Sequence, residues 1–193
     1  MKKSLALGAI IVIPSLAFAG TGLVRSAAIA PTATTTVAQP ALDDPTIVAI
    51  FDAANTADIE TGGLAAKQGY SKEVRDFGAM LVRDHTQVRQ LGRDLAAKLA
   101  VTPTPPKDDR SAAAHAATMK RLRALKGAEF DHAFLQYEVT FHKSVIDAVN
   151  TTLLPAIRNA ELKDLVVKVA PAFQAHMLAA ENLDKKLTTA GDR

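Results

Sequence analysis

Apolar side chains recur along most of the chain at intervals of three and four, the period of a helix that buries one face. The first such run opens at Asp44-Pro45, where Asp44 is placed to cap free N–H groups and Pro45 suits a first helical turn. Ile47, Ile50, Phe51, Ala54 and Ala65 share one face as far as Gln68, and Gly69 ends the helix. Ser71 caps a second helix striped by Val74, Phe77, Leu81, Val88, Leu95 and Leu99, which must stop before Pro103, Pro105 and Pro106. A weaker helical stretch follows from Ser111 to Lys126, closed by Gly127. A third long helix spans about 128–153 with Phe130, Phe134, Phe141, Val145 and Val149 inward. A fourth runs from an Asn159 cap to about Leu187 on Leu162, Val166, Val169, Phe173 and Leu183, with Pro171 set to kink it.

Loop lengths turn these elements into a topology. The joints between the first and second long helices and between the third and fourth are short, so each pair must be antiparallel. The connection over 101–127 is long enough to travel the height of the molecule and set the third helix parallel to the second. Four long helices with one long crossover describe an all-α, ferritin-like four-helix bundle over 44–190.

The first 43 residues read differently. Met1-Lys2-Lys3, the apolar stretch Leu5 to Phe18, and Ala17-Phe18-Ala19 before Gly20 have the form of a secretory signal peptide over 1–19, cleaved after Ala19. The competing reading is an uncleaved anchor, because no charge occurs between Lys3 and Arg25. Residues 20–43, rich in Ala, Thr and Pro, show neither helical nor strand period and read as a disordered tether. The expected location is the periplasm, with outer-membrane association open and no stable membrane span after cleavage.

Charge changes the picture little. The formal +3 includes Lys2 and Lys3, so the mature chain is close to neutral, and the run from Lys120 to Lys126 is too short for a nucleic-acid footprint. Aromatic residues make up only 5% and there is no Trp, which suits close helix packing. The lack of Cys removes disulfides, thiolate catalysis and thiolate metal sites.

Candidate chemistry lies on the inner faces. At about 100° per residue, Asp58 falls behind Ala54, Asp84 and His85 flank the second stripe, Asp131, Glu138 and His142 share a strip, and His176 lines up with Phe173. Measured from the turns at about 1.5 Å per residue, Asp58, His85, Glu138, His142 and His176 gather near mid-bundle. Carboxylates and imidazoles converging there are what a transition ion (Fe, Mn, Cu or Zn) needs, giving a candidate metal set of Asp58, Asp84, His85, Glu138, His142 and His176. The same groups could instead satisfy one another as a buried hydrogen-bond network. Glu-x-x-His, the usual di-iron signature, is absent, since Val82, Val139 and Phe173 stand three residues before the histidines. Met80 and Met177 are weaker soft-ligand candidates, and His115 and His132 read as surface residues. No serine elbow is present and Gly62-Gly63 follows no strand, so no catalytic residue and no phosphate loop is assigned.

Asp58-Ile59-Glu60-Thr61-Gly62-Gly63-Leu64-Ala65, Phe77 through Met80 to Asp84-His85, Gly127-Ala128-Glu129-Phe130-Asp131 leading to His142, and Pro171-Ala172-Phe173-Gln174-Ala175-His176 together resemble an exported bacterial family. It is catalogued as domain of unknown function 4142 and often labelled a predicted outer membrane protein. The resemblance covers about residues 45–188 and implies export and a ferritin-like fold, but carries no settled activity. Two positions depart from the family pattern: Asp58 stands where Glu is usual, and Glu138 where an amide or Met is common.

Three functions fit. The first is a non-enzymatic or accessory envelope protein holding one metal ion. The second is a metal-dependent oxidoreductase acting on peroxide or dioxygen. The third is a structural bundle with a self-satisfied interior and outer faces for an envelope partner. Oligomeric state is not legible.

Overall fold

A computed structural model describes residues 42–191, which are helical almost throughout. The proposed signal peptide and nearly all of the proposed tether lie outside the described residues. The elements are α1 (Asp44–Gln68), α2 (Lys72–Lys98), α3 (Ser111–Ala124), α4 (Gly127–Ala148), a π-type turn (Val149–Leu153), a short α5 (Leu154–Ala156) and α6 (Ala160–Gly191).

Helix starts follow from capping chemistry, with one correction. Asp43, not Asp44, caps α1, its Oδ1 accepting from Thr46 N at 2.9 Å. Asp44 instead accepts from the backbone N–H groups of Arg158 and Asn159, both at 2.9 Å, and so ties the start of α1 to the joint before α6. Ser71 caps α2 through Val74 N, and Asn159 accepts from Leu162 N as expected of a cap. α4 begins one residue early, at Gly127, whose φ of 60° places it in the left-handed region that glycine enters at low cost. Its regular part ends at Ala148, sooner than the apolar period suggests. Pro155 cannot donate to a helical ladder, and the backbone passes through the π-type turn just before it. Pro171, by contrast, does not interrupt α6: it lies on the exposed side, where water can take the carbonyl that it leaves free.

α1 packs mainly on α2 and α4 on α6, and α2 meets α6 across the middle. Asp131, near the start of α4, accepts from Tyr70 N and Ser71 N in the α1–α2 joint, both at 2.8 Å, so α4 runs parallel to α2. The connection between them begins at the opposite end, where Thr104 N donates to Pro45 O. It finishes where Gln68 Nε2 donates to the carbonyls of Leu122 and Leu125. It therefore travels the height of α1, as its length requires, and α3 buries Met119 and Leu122 on the way.

The interior has three levels. At one end Ile47, Phe51, Ala96, Leu153, Val166 and Phe173 form an apolar cluster, and at the other Ala65, Phe77, Leu81, Phe130, Phe134 and Ala180 form a second. Between them lies a polar level, bordered by Ala57, Tyr137 and Phe141.

Candidate metal centre

Each of the four long helices sends polar side chains into the middle level. α1 supplies Asn55, Asp58 and Thr61, α2 supplies His85, α4 supplies Glu138 and His142, and α6 supplies His176; all are buried. His85 and His142 are each 1% exposed, and Thr61 and Glu138 are fully buried. A buried polar group must find a partner or carry a free-energy penalty, so the pattern of partners is informative.

The partners fix which ring nitrogens carry protons. Asn55 Nδ2 donates to Phe51 O at 2.8 Å, which turns Asn55 Oδ1 toward His85 Nδ1, 3.0 Å away. An amide oxygen only accepts, so His85 Nδ1 holds the proton and Nε2 is a bare lone pair. His176 Nε2 lies 3.2 Å from Asp84 Oδ2, another acceptor, so its Nδ1 is bare as well. Yet His85 Nε2 and His176 Nδ1 face each other at 3.2 Å. Two lone pairs cannot bond one another; they need a shared cation, a proton or a metal ion, between them. His142 Nδ1 lies 3.0 Å from its own helix's Glu138 O, so in the neutral ring Nε2 is the bare atom, and it is buried without a hydrogen-bond partner.

The three rings stand close, with centroids 5.0 Å apart for His85–His176 and 5.5 Å for each of the other two pairs. One nitrogen from each lies within 4.8 Å of those of the other two. Ligands about 2.1 Å from a tetrahedral ion stand about 3.4 Å apart, so the His85–His176 pair is already at ligand spacing and His142 needs only a small approach. Phe173 stacks on His85 at 5.7 Å and holds that ring in plane.

A second group adjoins the first. Asp58, Glu138 and His142 also bring one ligand atom each within 4.8 Å of one another. Glu138 Oε1 accepts from Thr61 Oγ1 at 2.8 Å, while Glu138 Oε2 and Asp58 Oδ1 are buried with no hydrogen-bond partner. Asp58 Oδ2 lies 3.4 Å from His85 Nδ1, and Glu138 Oε2 lies 3.5 Å from His142 Nδ1. Burial raises the Asp58 carboxyl well above the usual range, opposed in part by His142. For His142, burial favours the neutral ring, but the Asp58 and Glu138 carboxylates outweigh it and lift the imidazole to about 9. His85 goes the other way, down to about 2, through burial first and then the neighbouring His142 and His176. His176 is lowered by the same causes, burial first, with Asp84 opposing. Such displaced values around one point fit a site built to hold charge.

Of the six residues expected at the site, five are brought together. Asp84 is not among them: it sits at the rim, 31% exposed, its Oδ1 taken by Arg83 Nε at 2.9 Å and its Oδ2 by His176. Its 100° step from His85 carries it off the inner face, so that it meets solvent on one side and His176 on the other. Asp131, on the same strip as Glu138 and His142, is buried two turns away, where it caps the α1–α2 joint. Asn55 and Thr61 carry no charge that marks them in the sequence, although each stands three residues from Asp58 on the same helix. Met80 packs against the apolar cluster around Phe77. His115 is half-buried rather than fully at the surface, with Nε2 2.7 Å from Glu60 Oε2, while His132 is exposed and pairs with Asp184 at 2.6 Å.

The family profile described as domain of unknown function (DUF4142) matches residues 29–183. The chain belongs to this family. The match takes in all five converging residues and begins before α1, within the stretch 20–43 read as a tether. No curated protein and no solved structure gives a match. Among the described residues of this DUF4142 chain, no helix is long and apolar enough to cross a membrane.

Proposed function

We propose that this DUF4142 protein is an exported, ferritin-like four-helix bundle whose interior holds one divalent transition-metal ion on His85, His142 and His176, in a storage, sensing or accessory role rather than a catalytic one. The observation that carries this reading is the pair of bare nitrogens, His85 Nε2 and His176 Nδ1, opposed at 3.2 Å beside the unpartnered Nε2 of His142. A self-satisfied network would pair donors with acceptors; here the bare nitrogens of His85 and His176 meet, and the buried atoms of Asp58, Glu138 and His142 are paired only if the pocket takes up protons in place of a metal ion.

Charge supports the same conclusion. Asp58 and Glu138 would balance a divalent ion without any imidazolium, whereas the metal-free pocket must draw protons to neutralise them. The hydrogen bonds from His85 to Asn55, from His142 to Glu138 O and from His176 to Asp84 orient the rings, as outer partners of metal-binding imidazoles do. Three imidazoles with carboxylates nearby suit Zn, Cu, Fe or Mn, and availability in the envelope would choose among them. Burial of the rings favours keeping an ion over admitting a substrate. Placement in the periplasm follows from the leader pattern over 1–19.

Metal analysis of protein taken from a periplasmic fraction tests this directly. The expected result is close to one transition ion per chain, with melting temperature raised on adding that ion; at a hundredfold excess over Kd the gain is about 2.7 kcal/mol. A protein found only in the cytoplasm, or one without metal and without a thermal shift for Zn, Cu, Mn and Fe, overturns it. Turnover of peroxide or dioxygen by the loaded protein would make the same centre an enzyme's.

A further inference from the structure

The centre is closed above and below by the two apolar clusters and on one side by Tyr137 and Phe141, so an ion needs a way in. Two surface clefts lie away from the centre. A cleft over Phe51, Gly92, Val101 and Pro105, and a shallower one over Leu91, Leu95 and Leu165, are lined by none of the ligands. A polar route does exist. His85 and His142 are each 1% exposed, His176 is 7% exposed at its side chain, Asp84 is 31% exposed and Arg83 is 70% exposed. These residues form a continuous chain of contacts: His85 Nε2 to His176 Nδ1 at 3.2 Å, His176 Nε2 to Asp84 Oδ2 at 3.2 Å, and Asp84 Oδ1 to Arg83 Nε at 2.9 Å.

We propose that Asp84 is the entry ligand of the buried centre, the carboxylate that takes a divalent cation from solvent and passes it inward past His176, and that Arg83 is the latch that holds this carboxylate closed. The inference rests on the metal-binding reading above and adds to it the path and its control. An anionic oxygen at the rim lets a hydrated divalent ion exchange its waters for protein ligands one at a time. When the ion engages Asp84, His176 Nε2 loses its acceptor and the ring is free to turn about its χ angles, opening the space beside His85. Once the ion is seated on the imidazoles, Asp84 again accepts the hydrogen bond from His176 Nε2–H and fixes the ring. Arg83 opposes the first step, because its guanidinium already occupies one Asp84 oxygen and repels an arriving cation.

The test is stopped-flow uptake of Co(II), whose visible absorption reports a nitrogen-ligated site, paired with release into a strong chelator, on the full chain. Arg83→Gln is expected to speed uptake and release together, about three- to tenfold each, with equilibrium affinity unchanged. Asp84→Asn should slow uptake at least tenfold, and Asp84→Glu should restore most of the rate. A residue that only steadies the fold or orients His176 would change release and affinity while leaving the uptake rate alone; that result overturns the proposal. So do unchanged rates in both variants, which would leave the metal site standing with its entrance elsewhere. Wild-type protein that takes up no Co(II) and no other transition ion overturns both readings, and is told apart by the wild-type trace alone.

Discussion

At the scale of single residues, the histidines do opposite things although they touch one another. His85 is held neutral, and its folded value of about 2 lies below the ordinary 6.5 of an unfolded chain. A folded value below the unfolded one means that the unfolded chain takes a proton the folded chain refuses, so stability is lost as pH falls below about 6.5. His142 has a folded value of about 9, above the unfolded one, so its contribution is complete below about 6.5 and is lost as pH rises toward 9. Taken alone, these two histidines give the metal-free protein a stability maximum near pH 6.5, each contributing a slope of up to about 1.4 kcal/mol per pH unit on its own side. Thermal melts of His142→Gln should flatten the alkaline limb and those of His85→Gln should reduce the acid limb; unchanged limbs in both would contradict the assignment of charge.

Legibility at this scale depended on contrast. His85, His142 and His176 stand out in the sequence because each interrupts an apolar stripe, and Asp58 for the same reason. Asp84 was legible as close to the site but not as its rim, because a helical wheel cannot tell a flank that faces a neighbouring helix from one that meets water. Asn55 and Thr61 were invisible to a search for charge. Nor does any sequence pattern state tautomers, which arise from partners such as the Phe51 carbonyl and the Asn55 amide.

At the scale of elements, α1 and α2 come together through Gly62 and Gly78. A methyl group at Gly78 would lie 2.6 Å from Gly62 O and 2.8 Å from both Ala65 Cβ and Ala66 N, and one at Gly62 would lie 2.8 Å from Gly78 O. Backbone meets backbone there, so neither side can yield easily. Gly78→Ala is expected to cost about 1–3 kcal/mol through overpacking, read as a lower midpoint in chemical denaturation. Stability equal to wild type would mean that the helices do not approach so closely. The Gly-Gly pair at 62–63, which follows no strand, thus has a packing role at its first member. Asp131 joins elements in a second way: its two oxygens hold consecutive N–H groups of the α1–α2 joint, and Asp131→Ala should cost about 3 kcal/mol because both donors are left partly buried. Its folding free energy, compared with that of an exposed control such as Asp76→Ala, checks the figure. Helix ends were legible to within a few residues because capping is local. The turn at Val149–Leu153 was not, since the apolar period continues through it.

At the scale of the whole molecule, the levels of the interior explain one another. Two apolar clusters supply burial and therefore stability, while the middle level gives some of it up by enclosing two carboxylates and three imidazoles. The topology was readable from loop lengths, because a connection that climbs the height of α1 leaves α4 only one direction to run. What that topology achieves is to bring residues 58, 85, 138, 142 and 176 from four helices to one height. The central claim is that an ion belongs there, and location tests it better than stoichiometry. Crystals of the metal-loaded protein, measured at the absorption edge of the ion, should show one anomalous peak about 2.1 Å from a ring nitrogen of each of His85, His142 and His176. No peak in the interior, or peaks only beside surface carboxylates, would contradict the account.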